Sequence, residues 1–90
     1  MSSRVVSVRL STHARRFYKR LHRSDRRVFD RLDRSLDRIA DHPEVGKPLV
    51  GPLRGHRSLR VGPLRIIYRV DDDSGDIWVL EIGPRGGAYR

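Results

Sequence analysis

Between Leu53 and Tyr68 the chain reads LRGHRSLRVGPLRIIY. This sets Arg54, Arg57, Arg60 and Arg65 on and beside one predicted strand pair with no acidic residue among them. A planar guanidinium pairs bidentately with phosphate and stacks on bases, so such a cluster suits a phosphodiester better than it suits a core. The C-terminal GPRGGAYR adds Arg85 and a phenol, Tyr89, in a glycine-rich exit where nothing structural demands arginine. Arginine stays protonated, so these residues would stabilise charge on phosphoryl oxygens rather than move protons. Tyr89 would polarise an attacking hydroxyl or stack on a base. The residue types point to RNA.

The charge balance agrees. The net charge is +9, and 18 of the 20 basic residues are arginine. GC-rich codons would enrich arginine as well, but an excess of this size calls for an acidic partner or a nucleic acid. The absence of cysteine excludes a disulfide framework, a thiol nucleophile and cysteine-ligated zinc. His13, His22, His42 and His56 are scattered without metal-site spacing, and His56 reads as a surface residue. Asp71-Asp72-Asp73 runs into Ser74-Gly75 and reads as a turn. No P-loop or catalytic triad is present, and neither metal nor cofactor is expected. No window approaches a membrane span and MSSRVVSVRL has no apolar run of signal-peptide length, so a cytoplasmic protein is expected.

The elements that must position these residues follow from periodicity. Ninety residues make one domain, 1–90, with a single modest core. Val6, Val8 and Leu10 alternate, as on a half-buried strand. Ser11 or Thr12 caps a helix whose Ala14, Phe17, Tyr18 and Leu21 share one face. Ser24-Asp25 caps a second, carrying Val28, Phe29, Leu32, Leu36 and Ile39, with alternating aspartates and arginines on a solvated face that support one another in i, i+4 pairs. Pro43 ends it, and residues 44–52 read as a loop. Strands are predicted at 56–61, 64–70 and 76–82, with a tight hairpin at Gly62-Pro63 and Tyr68 and Trp78 in the core. The expected architecture is α+β, in the order β-α-α-β-β-β. An N-terminal helical hairpin would pack on a four-stranded, mainly antiparallel sheet.

This order, together with GKPLVGPLRG, RSLRVGPLRIIYRV and IWVLEIGPRGGAYR, resembles the RelE/ParE toxin superfamily of bacterial toxin–antitoxin systems over residues 5–90. The resemblance implies a small toxin silenced by a cognate acidic antitoxin in a hetero-oligomer. RelE-like members are ribosome-dependent endoribonucleases that cut mRNA, and ParE-like members inhibit DNA gyrase. In the nuclease branch, carried over by position, the catalytic residues are Arg65, Arg60, Arg85 and Tyr89. Arg57 and Arg54, in the same arginine-rich stretch, are read as RNA contacts. Two positions depart from the pattern. Ser58 stands where the family has a basic residue, and Pro84 stands where many relatives have histidine. The expected activity is metal-independent cleavage of mRNA on the ribosome. A gyrase inhibitor, or a non-catalytic relative that only binds its antitoxin, is the alternative.

Overall fold

The computed structural model describes residues 6–84. Each helix starts where a side chain can satisfy its unpaired amides. Ser11 Oγ accepts from Ala14 N at 3.0 Å and opens α1, Thr12–Ser24. The same hydroxyl donates to Leu80 O at 2.7 Å, which fastens the helix start to the sheet. Asp25 Oδ1 accepts from Val28 N and opens α2, Arg26–Asp41, while its own N–H closes α1 on Leu21 O. One residue thus ends one helix and begins the next, giving a tight helical hairpin. Tyr18 Oη donates to Asp33 Oδ1 at 2.9 Å across it, and the Tyr18 and His22 rings pack on Phe29. α2 ends at His42, and Pro43–Val45 continues as a short 3₁₀ turn.

The strands are β1 (Val8–Leu10), β2 (Lys47–Pro48), β3 (Arg57–Val61), β4 (Leu64–Val70) and β5 (Ile77–Pro84), in the spatial order β1-β5-β4-β3-β2. β1 is parallel to β5 and every other pairing is antiparallel. The fold class is the one expected, with five strands rather than four. The addition is β2, two residues of the segment that reads as a loop. It is too short for an alternating pattern, and its proline is admissible because an edge strand leaves one N–H row unpaired. A further short 3₁₀ turn, Gly51–Leu53, joins β2 to β3.

Both helices cover one side of the sheet. Leu32, Leu36 and Ile39 of α2 and Ala14 of α1 pack on Val61, Leu64, Ile66, Tyr68, Ile77, Val79 and Ile82. Full burial of each such aliphatic side chain contributes about 1.5–3 kcal/mol. Two polar groups work inside this layer. Tyr68, fully buried, donates its hydroxyl to Pro43 O at 2.6 Å and accepts from Gly46 N at 2.9 Å. Burial holds this phenol above its ordinary pKa, so it remains a donor well into the alkaline range. A Cβ at Gly46 would fall 2.6 Å from Tyr68 Oη, so only glycine lets the strap pass this close. Arg57 donates to Gly46 O at 2.7 Å and Glu44 O at 3.3 Å from the same side. Tyr68 and Arg57 together clamp residues 43–46 and so deliver β2 to the edge of β3.

β5 carries a bulge. Ile67 pairs with Glu81 and Tyr68 with Val79, which leaves Leu80 as an extra residue. Simple alternation would put Glu81 on the same side as Ile77 and Val79, towards the helices. The bulge resets the phase, so Ile82 enters the core and Glu81 faces the uncovered side.

Candidate nucleic-acid interface

The uncovered side of the sheet, the one on which neither helix lies, is where the cations gather. Gly62, at φ 55°, and Pro63 form a two-residue hairpin with glycine first, the arrangement of a type II′ turn. That turn fixes a register in which Arg60 stands directly opposite Arg65. Directly opposed residues share a face, with Cβ atoms about 4.5–5.5 Å apart, and two like charges so placed are destabilising. The register thus concentrates positive charge at this point of the sheet. On the far side of β3, Lys47 is opposite Ser58 and lies on the same face. A cation is thus restored, from the neighbouring strand, beside the position where the family pattern has one and this chain has serine.

Lys47, Pro48, Leu49, Val50, Ser58, Arg60 and Arg65 line a cleft of about 370 Å³. Val50 is 85% exposed at its rim, an apolar surface of the kind a splayed base packs against. Arg60 also joins Arg31, Arg34 and Arg38 of α2 around a shallower cleft of about 320 Å³ at the tip of the hairpin. These helix arginines read from the sequence as paired with aspartates on a solvated face. Among the described residues the ion pair formed within α2 is instead Arg26–Asp30, at 3.7 Å, and Asp33 is taken by Tyr18. Arg31, Arg34 and Arg38 therefore extend the basic track from Arg60 onto α2.

Of the residues singled out in the sequence, Arg60 and Arg65 are brought together. Arg57 is not: it points to the helix side, next to Tyr68, with its guanidinium on two carbonyl oxygens. Arg54 is exposed after the 3₁₀ turn at Gly51–Leu53, away from the opposed pair in the register. Arg85 and Tyr89 lie outside the described residues. Trp78, read as core, is half-buried on the uncovered face with the Arg9 guanidinium 5.5 Å from its ring centroid. It sits opposite Arg69, the out-facing partner of its ladder position. His56, read as a surface residue, is half-buried beside Ser11, Arg69, Trp78 and Leu80. Its Nδ1 is enclosed without a hydrogen-bond partner among the described residues.

The sequence reading did not single out Lys47 or Glu81 on this face, and it took the α2 arginines first as a solvated surface. The i, i+3, i+7 spacing of Arg31, Arg34 and Arg38 was a usable signal. For Lys47 and Glu81 there was none, because one depends on a two-residue strand and the other on a bulge.

With this geometry in hand, comparison with known proteins is decisive over most of the chain. The family described as the ParE toxin of the type II toxin–antitoxin system parDE matches residues 8–89. The chain belongs to this toxin family. It is 41% identical over 46 residues to toxin RelG of Mycobacterium tuberculosis and 37% identical over 46 residues to toxin RelE of the same organism. Each match spans 51% of this chain, and the chain spans about half the length of these curated relatives, 53% and 47%. The toxin–antitoxin complex RelBE2 of Mycobacterium tuberculosis superposes with a TM-score of 0.75 at 32% identity, covering 89% of this chain and 98% of that one. A YoeB/ParE toxin from Agrobacterium tumefaciens superposes with a TM-score of 0.81 at 20% identity, covering 89% and 99%, a likeness of fold. Two helices on a mixed sheet is thus the architecture of these toxins. Among the described residues no helix is long and apolar enough to cross a membrane.

Proposed function

We propose that this chain is a toxin that cuts mRNA on the translating ribosome. The observation that carries the reading is the directly opposed pair Arg60 and Arg65 at the floor of the Lys47–Val50 cleft. In the reaction the ribose 2′-oxygen attacks the adjacent phosphorus and the bond from phosphorus to the 5′-oxygen breaks. The products are a 2′,3′-cyclic phosphate and a 5′-hydroxyl. Negative charge grows on the non-bridging oxygens as this happens, and fixed guanidiniums stabilise that state more than the ground state. Arg65 would hold the scissile phosphate, and Arg60 and Lys47 its neighbour. Arg85 and Tyr89 would complete the site, the first as a second cation and the second by stacking on a base or polarising the 2′-hydroxyl. Much of the rate would come from orientation, with the ribosome holding the mRNA in line.

The partner we propose is an acidic, partly disordered antitoxin segment that folds on the toxin. Its support is the net charge of +9 and the exposed basic track from Arg65 to Arg38. Covering that track would silence the toxin.

The test is in vitro translation of a defined mRNA followed by primer extension, with the wild type beside Arg65→Ala and Arg85→Ala. The expected result is discrete cuts within codons that need ribosomes and disappear in the variants. The description of the matching family as ParE favours one second reading, a gyrase inhibitor. Intact mRNA together with inhibited DNA supercoiling would establish that reading instead.

A further inference from the structure

The opposed arginines can stabilise charge but cannot take a proton, and the cleavage proposed above needs the 2′-hydroxyl to lose one. We infer that Glu81 is the group that accepts it, an inference that rests on the endoribonuclease reading.

Four observations converge on this residue. The bulge at Leu80 turns Glu81 away from the core and onto the face that carries Arg60 and Arg65. Bulges are used next to active sites to re-aim a side chain, and here the re-aimed side chain is a carboxylate. Glu81 pairs with Ile67, which pairs with Ser58, so it lies one row from Arg65, whose own partner on β5 is Gly83. Glycine contributes no side chain in front of Arg65, and the diagonal neighbour Glu81 has its Cβ about 7 Å from that of Arg65. That spacing accommodates a phosphate on the guanidinium with the adjoining ribose against the carboxylate.

The third observation is that Glu81 is uncommitted. It is half-buried, and it makes no hydrogen bond or ion pair among the described residues. The other carboxylate on this face, Asp76, is occupied by Arg9 Nε at 3.2 Å and Ser7 N at 3.1 Å at the far corner of the sheet. The last is its setting. The charged and titratable groups that share the face with Glu81 are Arg65 and Arg69 from β4, Arg60 and the adjoining His56 from the β3 side, Lys47 from β2, and Arg9 and Asp76 at the β1 corner. Cations flank it on two sides. Among the described residues the other bases on that face lie farther from Arg65, His56 beside Arg69 and Trp78, and Asp76 on Arg9.

The step balances as a transesterification. The 2′-O–H proton passes to a Glu81 carboxylate oxygen while the 2′-oxygen bonds to phosphorus. The phosphorus–O5′ bond breaks, and the 5′-oxygen takes a proton from water. Glu81 then returns its proton to solvent, and no oxidant or metal enters the sum.

The experiment compares wild type, Glu81→Gln and Glu81→Asp as full chains on mRNA-programmed ribosomes across a pH series, with thermal melting of each. Glu81→Gln is expected to melt as wild type does and to keep KM. Its kcat should fall about 100-fold or more, and the acid limb of the pH–rate profile should vanish. Glu81→Asp should retain the limb at a reduced rate. Wild-type kcat in Glu81→Gln would overturn the inference, as would a reduced kcat with the acid limb intact, the mark of a structural role. Intact mRNA with the wild-type protein would instead remove the endoribonuclease reading itself.

Discussion

Arg57 and Arg60 stand three residues apart on the same strand, and the two sides of the sheet give them opposite work. On the helix side Arg57 meets two carbonyl oxygens of the turn at 43–46 and donates to both. On the uncovered side Arg60 meets another guanidinium, Arg65, across the ladder, with Lys47 at the next strand. A second contrast, within one face, separates Asp76, just before β5, from Glu81 inside it. Asp76 is tied into the parallel junction with β1, whereas Glu81 is turned outward by a bulge and left without a partner among the described residues. The helix side gives Tyr68 and Arg57 partners in the turn at 43–46. The other side sets two arginines directly opposite each other, beside a lysine on the next strand.

If that division is right, substitutions on the two faces should fail in different assays. The largest effect is expected from Arg65→Ala, where loss of a fixed cation at the developing charge should lower kcat on ribosome-bound mRNA by about 10²–10³-fold with little change in melting. A comparable rate in the variant would break the comparison on its functional side.

Arg57→Ala should do the reverse. Removing the donor to Gly46 O and Glu44 O should destabilise the fold by about 1–3 kcal/mol in urea unfolding, with kcat of the folded fraction retained. A selective loss of cleavage without loss of stability would move Arg57 into the site. Tyr68→Phe tests the same clamp and should cost about 1–2 kcal/mol, since it strands Gly46 N and Pro43 O.

Tyr68 also gives a pH signature. Its folded pKa is raised by burial, so the fold favours the protonated phenol, and the stabilisation is complete below the unfolded value of about 10. It is lost as pH rises from there through the folded value. Tyr18 is raised as well, first by burial and then by Asp33, and acts in the same sense. Unfolding measured across that range should show an alkaline decline that Tyr68→Phe flattens in part. The smallest effect should come from Lys47→Ala. Loss of one phosphate contact should raise KM by a few fold and lower the slope of log affinity against log salt by about 0.7, leaving kcat and melting alone.

The helical hairpin, the Gly62-Pro63 turn and the three long strands were legible because they rest on local chemistry: apolar spacing, caps and a glycine that must turn with positive φ. Arg60 and Arg65 were legible for the same reason, since a two-residue turn makes residues 60 and 65 opposite each other. The sequence by itself also determined the excess of arginine that demands a polyanion. Only the tertiary structure decided which arginines share the face away from the helices. Arg57 lies one residue from Ser58, and a single step along a strand reverses the face. β2 exists because Tyr68 and Arg57 hold the preceding turn, a contact across more than ten residues that no local pattern encodes. The bulge is the sharpest case. DIWVLEI alternates smoothly as text, yet one extra residue in the ladder carries Glu81 to the other side of the sheet. Which face a side chain occupies is a property of the pairing, and pairing is set by two strands at once.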